Sequence, residues 1–490
     1  MLLDILADEH VPDPRRVPMS EFTAEVLDEP SLMFANGEEA IDPRVGLMEF
    51  GPRTPSGKSE HQVINIGYIG SGRSLGAIEK LFKDMELAIT ADEDESKRWK
   101  PPFPGLGERS SLNFTFNTQK RWRQTITRGE IRDLKQIRSR KDRLEEAVEI
   151  IKINLEVLYA KETPPDVVFI AIPEAMWDAC TPSHQDYAQM QSETSDFHNR
   201  IKLLGMEVGL PTQLMQPKTL RGEDVQDKSE IAWNIAVGTL YKAQRGHPWK
   251  LTELEDGTCF AGISFYKERG GDQSRTRTAM AQVFLETGEN FILRGDPVEG
   301  EKHGPGNNHL AEDDAEKLVK KILRHYRSHK GTEPRRLVLH KRSEFWEEER
   351  EGFIKGAGNI ELMDFITVRE RHPVRALSSG IYPALRGTMI SAPNNEEHYL
   401  YTKGYIPALS TYPASNIPEP IVVKPDPEVS DSSPQKLCRE MLAFTKLDWN
   451  TSDFCTKLPV TIGISDAVGN ILAEAEAQNT SLDIHYYHYM

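Results

Sequence analysis

His198, Lys202, Gln213 and Lys242 are the residues of this 490-residue chain whose types and spacing carry the most chemistry. His198 and Lys202 are four apart in DFHNRIKLLG, so on a helix they share one face. Pro211-Thr212-Gln213 offers an amide in a turn, and NIAVGTLYKAQ supplies Lys242 from a second helix. An imidazole, an amide and two ammoniums converging on one spot suit a terminal phosphate, which takes several donors and positive charge. On spacing alone, a His and a Lys on one helix face are more often solvated surface, so the elements around them must decide.

Those elements read as α/β. VINIGYIG is a buried-strand run, followed by Gly70-Ser71-Gly72 and the helical pattern LGAIEKLFKDMELAI. The glycine spacing is not that of a dinucleotide fingerprint, and no acidic residue follows at the required distance. A long polar helix, roughly Ile131 to Tyr159, leads to the strand DVVFIAIP, and then to the helix of His198 and Lys202. This rhythm predicts an open, Rossmann-like sheet, which binds ligands at the carboxyl ends of its strands.

A second pattern begins after Trp249. CFAGISFYKE, TAMAQVFLE and NFILRGDP read as strands, the last two joined by a tight Thr287-Gly288-Glu289 turn. The helix AEDDAEKLVKKILRHYRSHK has acids in its first turn and bases in its last, as the helix dipole favours. The strand RRLVLHK, the helix WEEEREGFIKGA and the strand IELMDFITV follow. Three strands, helix, strand, helix, strand is the order of a ribonuclease H-like fold. A nuclease of that fold holds two metal ions on carboxylates in the middle of its first strand and at the end of its fourth. Those places carry Ser264 and Arg342 here, and an arginine repels Mg²⁺. The domain is therefore expected not to cut. The alternative is an active nuclease using shifted acids, with Glu268, Asp296 and Glu344 as candidates. His340, Lys341 and Arg342 instead suit contacts to a nucleic-acid backbone, and Arg200 and Lys218 are further basic candidates.

Net charge is −16, which alone argues against nucleic acid. The charge is uneven, however. Lys120 to Arg143 holds ten Lys or Arg against three acids, with Trp122 among them. That is either a mixed-charge helix face or a phosphate-tracking stripe on an acidic body. The four cysteines are far apart, without a metal-binding or disulfide spacing. No apolar run reaches the roughly 18 residues of a membrane span. MLLDILADEH also lacks a signal-peptide charge pattern, so the expected location is cytoplasmic, with no membrane partner. The divisions read from composition are 1–55, an extended Pro- and acid-rich segment, 56–245, Rossmann-like, and 246–490, ribonuclease H-like.

IDPRVGLMEFGP, GLPTQLM, NIAVGTLYKAQRGHPWKL, FTKLDWN and LPVTIGIS resemble the short prokaryotic Argonautes, which keep only MID and PIWI domains. The resemblance runs from about Asp42 to Met490. It implies a MID domain at 56–245 and a degenerate PIWI domain at 246–490. His198, Lys202, Gln213 and Lys242 fall on the family's guide 5′-phosphate pattern. Gly238 stands where the family often has one more lysine. The resemblance further implies Mg²⁺ beside the guide phosphate, ligated by the Met490 carboxylate. Its implied partners are a guide RNA, a target single-stranded DNA and an APAZ-domain protein carrying a sirtuin-like, TIR or nuclease effector. Oligomerisation on activation would accompany this role in prokaryotic defence. A purely structural subunit of an APAZ complex is the remaining alternative.

Overall fold

The computed structural model describes residues 22–54, 60–90, 102–181, 197–222, 227–267, 276–285, 290–299, 309–378, 380–393, 396–412, 416–478 and 483–490. The Thr287-Gly288-Glu289 turn and Glu268 lie outside them. The side chain of Asp296 is likewise not described.

The first unit is built on β1 (Gln62–Gly70), β2 (Phe114–Asn117), β3 (Arg123–Thr125), β4 (Val167–Ala171) and β5 (Thr212–Met215). The strand order is β2-β1-β4-β5, with β3 also on β1 beyond the end of β2, and every pairing is parallel. All five residues of β4 are buried, as expected of a central parallel strand covered on both faces. The covering helices are α1 (Gly72–Met85), α2 (Arg128–Gln136), α3 (Arg140–Tyr159), α4 (Glu174–Cys180), α5 (Phe197–Val208) and α6 (Lys228–Gln244).

The long helix expected over Ile131 to Tyr159 is two helices. Ile137 is extended, and the Ser139 side chain accepts from the Asp142 N–H to start α3 afresh. Arg143 stabilises the break by donating Nη1 to the carbonyls of Ile137, at 2.8 Å, and Arg138, at 3.1 Å. Hydrophobic periodicity runs through such a break because both helices bury one stripe against the same sheet.

The second unit carries β6 (Thr258–Lys267), β7 (Thr276–Leu285), β8 (Asn290–Glu299), α7 (Glu312–Lys330), β9 (Arg336–Lys341), α8 (Glu347–Ala357) and β10 (Leu362–Arg369). The order β8-β7-β6-β9-β10 has antiparallel first pairs and parallel last pairs. That is the ribonuclease H-like topology. The sheet reaches nine strands through Thr388–Ser391, His398–Leu400, Ile421–Pro425 and the N-terminal strand Thr23–Val26. Helix α9 (Pro434–Phe444) and α10 (Ser465–Gln478) pack around it.

The N-terminal segment is threaded across both units. Thr23–Val26 pairs with Thr388–Ser391, whereas Leu32–Met33 pairs with Lys250–Leu251, just after α6. Asp42 caps a short helix, Pro43–Glu49, by accepting from the N–H groups of Arg44 and Val45. Buried Arg44 then reaches Ser452 at 2.9 Å and Asp453 at 3.1 Å.

Candidate functional site

Helix α5 turns into β5 through Gly209-Leu210-Pro211. Gly209 has φ +80°, and a Cβ on Gly205 would lie 2.9 Å from the Leu210 carbonyl. Two glycines therefore let the start of β5 lie close against the helix it has just left. Gln213 is consequently the second residue of a strand, not a turn residue. The gathering point is the amino end of β5, whereas an open α/β sheet was expected to bind at its carboxyl ends.

At that point Lys202, from the middle of α5, donates to the Thr212 carbonyl at 3.0 Å and also to the Met490 main-chain oxygen. Lys242, near the end of α6, donates to Gln213 Oε1 at 2.5 Å. Accepting through Oε1 fixes that amide with its NH₂ free to donate elsewhere. The two lysines are 2 % and 1 % exposed, so neither is solvated surface. Burial pushes Lys202 down to about 8. Burial, and then the charge of Lys202 beside it, push Lys242 well below the ordinary lysine range. His198 lies one turn before Lys202 and is half-buried.

The tail completes the site. The Ile292 N–H of β8 donates to Ile484 O at 2.8 Å, and His485 bridges Phe291, which ties residues 484–485 to the second unit. From there Tyr486, Tyr487, His488, Tyr489 and Met490 are all buried. Tyr486 meets Tyr241 on α6, and Tyr241 stacks on Trp449 at 5.2 Å. Burial lowers His488 to about 4, with Lys202 adding to the effect, so this imidazole is neutral beside the ammoniums. Burial works against the Asp483 carboxylate, but hydrogen bonds from His485 hold it down at about 2. His488, Asp483 and Tyr241 had no signal in the sequence, since only the long-range docking of the tail brings them here.

The Met490 main-chain oxygen accepts from Lys202 and the Gln213 side-chain oxygen accepts from Lys242, so two lysines, an amide and the chain's last residue converge here. Two buried lysines and an amide meeting at one point offer several donors to a group with several acceptor oxygens.

Of the other basic candidates, Arg200 is 7 % exposed, and its guanidinium is bidentate to Glu145 at 2.7 and 2.8 Å. Lys341 is 1 % exposed and paired with Glu349. Both charges are neutralised by a carboxylate of the protein itself. Lys218 and Arg342 are exposed.

Ser264 and Arg342 stand where the carboxylates of a nuclease were sought. Ile263 pairs with Lys341 in the parallel β6–β9 ladder, so Ser264 comes next on β6 and Arg342 follows just past the end of β9. Arg342 reaches Asp466, at the start of α10, at 3.2 Å. Ser264 Oγ is buried without a hydrogen-bond partner among the described residues. Gly262 admits the segment before α10, since a Cβ there would overlap Thr461 O at 1.8 Å. Of the shifted acids, Glu344 is paired with Lys424 at 2.7 Å. Among the described residues no group of three or more His, Cys, Asp or Glu is arranged to hold a metal ion.

A Rossmann-like unit joined to a ribonuclease H-like unit is the architecture of the MID and PIWI halves of Argonaute and Piwi proteins. Solved structures of that class match it. They include Clostridium butyricum Argonaute bound to a guide DNA and a 19-mer target DNA, at TM-score 0.63 and 17% identity over 93% of this chain. Drosophila Piwi matches at TM-score 0.59 and 13% identity over 95% of this chain. Argonaute of A. aeolicus matches at TM-score 0.54 and 16% identity over 92%. The chain spans about half the length of these proteins, covering 53%, 56% and 53% of them. No protein-family model and no curated protein matches the sequence. The likeness is therefore one of fold. No helix among the described residues is long and apolar enough to cross a membrane.

Proposed function

We propose that this chain is a guide-dependent nucleic-acid sensor that binds but does not cut. Lys202, Lys242 and the Gln213 amide hold the 5′ phosphate of a guide RNA, with His198 at the rim of the pocket. Base pairing to the guide selects a single-stranded DNA target, and the protein grips backbones. The observation that carries this reading is the convergence of two buried lysines beside an oriented amide, which offers a terminal phosphate several donors at one point. The Argonaute structures named for their guide and target DNA or siRNA lend it support. Ser264 and Arg342, the latter paired with Asp466, make the ribonuclease H-like unit a binding platform. The output then falls to a partner, an APAZ-domain protein of sirtuin-like, TIR or nuclease type in a prokaryotic defence system. The acidic surface suits a basic partner.

The test is binding of 5′-phosphorylated and 5′-hydroxyl guides to the purified chain, with Mg²⁺ or with EDTA. The phosphate should raise affinity at least tenfold, with or without EDTA, because the ammoniums supply the charge. Lys202→Glu with Lys242→Glu should abolish the difference, each lost charge-assisted bond costing about 1.5–3 kcal/mol. Equal affinity for the two guides would refute the pocket, and loss of discrimination in EDTA would restore the metal. Short 5′-phosphorylated RNAs copurifying with the chain would identify the guide directly.

A further inference from the structure

The basic stretch singled out in the sequence is not used by the pocket. The structure divides it into cations with internal tasks and cations without. Arg140 and Arg143 donate to Cys180 O at 3.1 Å and Ala179 O at 2.9 Å, closing the end of α4. Arg128, Arg132 and Lys135 are exposed on one face of α2, at i, i+4 and i+7. Together with Ile131 and Gln136 they line a shallow, open depression on the surface. Neither Arg128 nor Lys135 has an ion pair or side-chain hydrogen bond among the described residues.

The acids nearby do not cancel this charge. Glu130 is turned back into the capping box, accepting from the N–H and the hydroxyl of Thr127 at 2.6 Å each. Asp133 meets Arg132 at 3.1 Å, but both are well exposed and such a pair is weak. Arg128 also opens the helix, where the dipole disfavours a cation. Exposed Arg138 and Lys141 extend the patch, on a chain whose net charge is −16.

We propose that the Arg128–Arg132–Lys135 face is a second nucleic-acid site, taking the backbone of the target strand where it runs past the guide's 5′ end. This rests on the guide-pocket reading. A guide ends at its phosphate, so the strand that continues there is the 3′ flank of the antiparallel target. The face is within its reach. Helix α2 packs on α3, and α3 on α5. Two helix-packing distances amount to roughly 20 Å, which about six nucleotides span at 3.4 Å each. Three exposed cations and one apolar side chain read phosphates and no sequence.

The experiment measures target affinity against salt with the guide-loaded chain, using targets with and without a 12-nucleotide 3′ flank. The flank should steepen the salt slope by about 2, the value for three phosphates on a single strand. That amounts to about a 16-fold difference between 50 and 200 mM salt. Arg128→Gln with Arg132→Gln and Lys135→Gln should erase the flank's contribution and leave unflanked targets and 5′-phosphate discrimination unchanged. A flank without effect on the wild-type chain, or one retained in the triple variant, overturns the proposal. Should the wild-type chain show no 5′-phosphate discrimination, the pocket reading fails separately. An unguided single strand then decides this one, by whether its salt slope falls in the triple variant.

Discussion

Lys202 carries opposite consequences for stability and for binding, and both can be read against pH. Burial holds it at about 8 in the folded chain, against an ordinary value of 10.5. Between those values the unfolded chain binds more protons than the folded one, so the stability of the free protein rises with pH across that window. A phosphate needs the protonated form. Guide affinity should therefore fall as pH rises through 8, by up to tenfold per unit. The fall should disappear for a 5′-hydroxyl guide. Isothermal titration in two buffers of different ionisation heat should show proton uptake on binding above pH 8. The residue types and the spacing of this cluster were legible in the sequence. Its burial was not, because a lysine at i+4 from a histidine looks the same on a wet face as on a dry one. What dries this face is α6, β5 and a tail that arrives from 288 residues away.

At the scale of elements, strands were the most readable, since runs such as VVFIA, Val167–Ala171, are apolar at every position and have one place to go. Continuity was less so. The break between α2 and α3 rests on Ser139 and on Arg143 reaching back to two carbonyls, which leaves the apolar periodicity intact. The tail was illegible as structure, because its anchors are a β8 amide and the Lys202 ammonium, both distant in sequence. Helix α6 supplies a prediction of its own. Gly238 lies in its interior, one turn before Lys242. A Cβ there would meet nothing closer than Asn450 Oδ1 at 3.8 Å, an ordinary contact. Gly238→Ala should therefore stabilise the chain by about 1 kcal/mol, the helix-interior cost of glycine relative to alanine. Urea denaturation followed by Trp fluorescence measures it. A destabilised variant would mean that the seam between α6 and the Trp449 loop is tighter than this geometry allows.

For the molecule as a whole, the question is what keeps two α/β units in the register that the pocket requires, since Lys202 and Lys242 come from one and the tail is fixed to the other. The N-terminal segment is one answer. Its Glu29 meets Arg386 at 2.9 Å and Lys446 at 2.6 Å, both fully buried in the ribonuclease H-like unit. Lys446 further donates to Pro30 O at 2.9 Å and Ile41 O at 2.6 Å. A composition rich in Pro and acids suggested an extended segment, and it does not show that one of those acids neutralises two buried cations. Burial raises the Glu29 carboxyl, but Arg386 and Lys446 outweigh it and hold the pKa below the usual glutamate value. Glu29→Ala would leave both cations buried with carbonyl and hydroxyl partners alone, which should cost about 3–5 kcal/mol. The pH dependence has a definite sign. A depressed carboxyl stabilises fully above its unfolded value of about 4.5, and that contribution fades as pH falls through the lower folded value. The gap between wild type and Glu29→Ala in chemical denaturation should thus be full at pH 7 and shrink on acidification below pH 4.5. Guide-phosphate affinity should weaken in the variant as well, because a loosened strap frees the seam that positions Met490 against Lys202. A variant that lost stability but kept full phosphate discrimination would place the strap outside the pocket's support and leave the aromatic seam of Tyr241, Trp449 and Tyr486 to hold it alone.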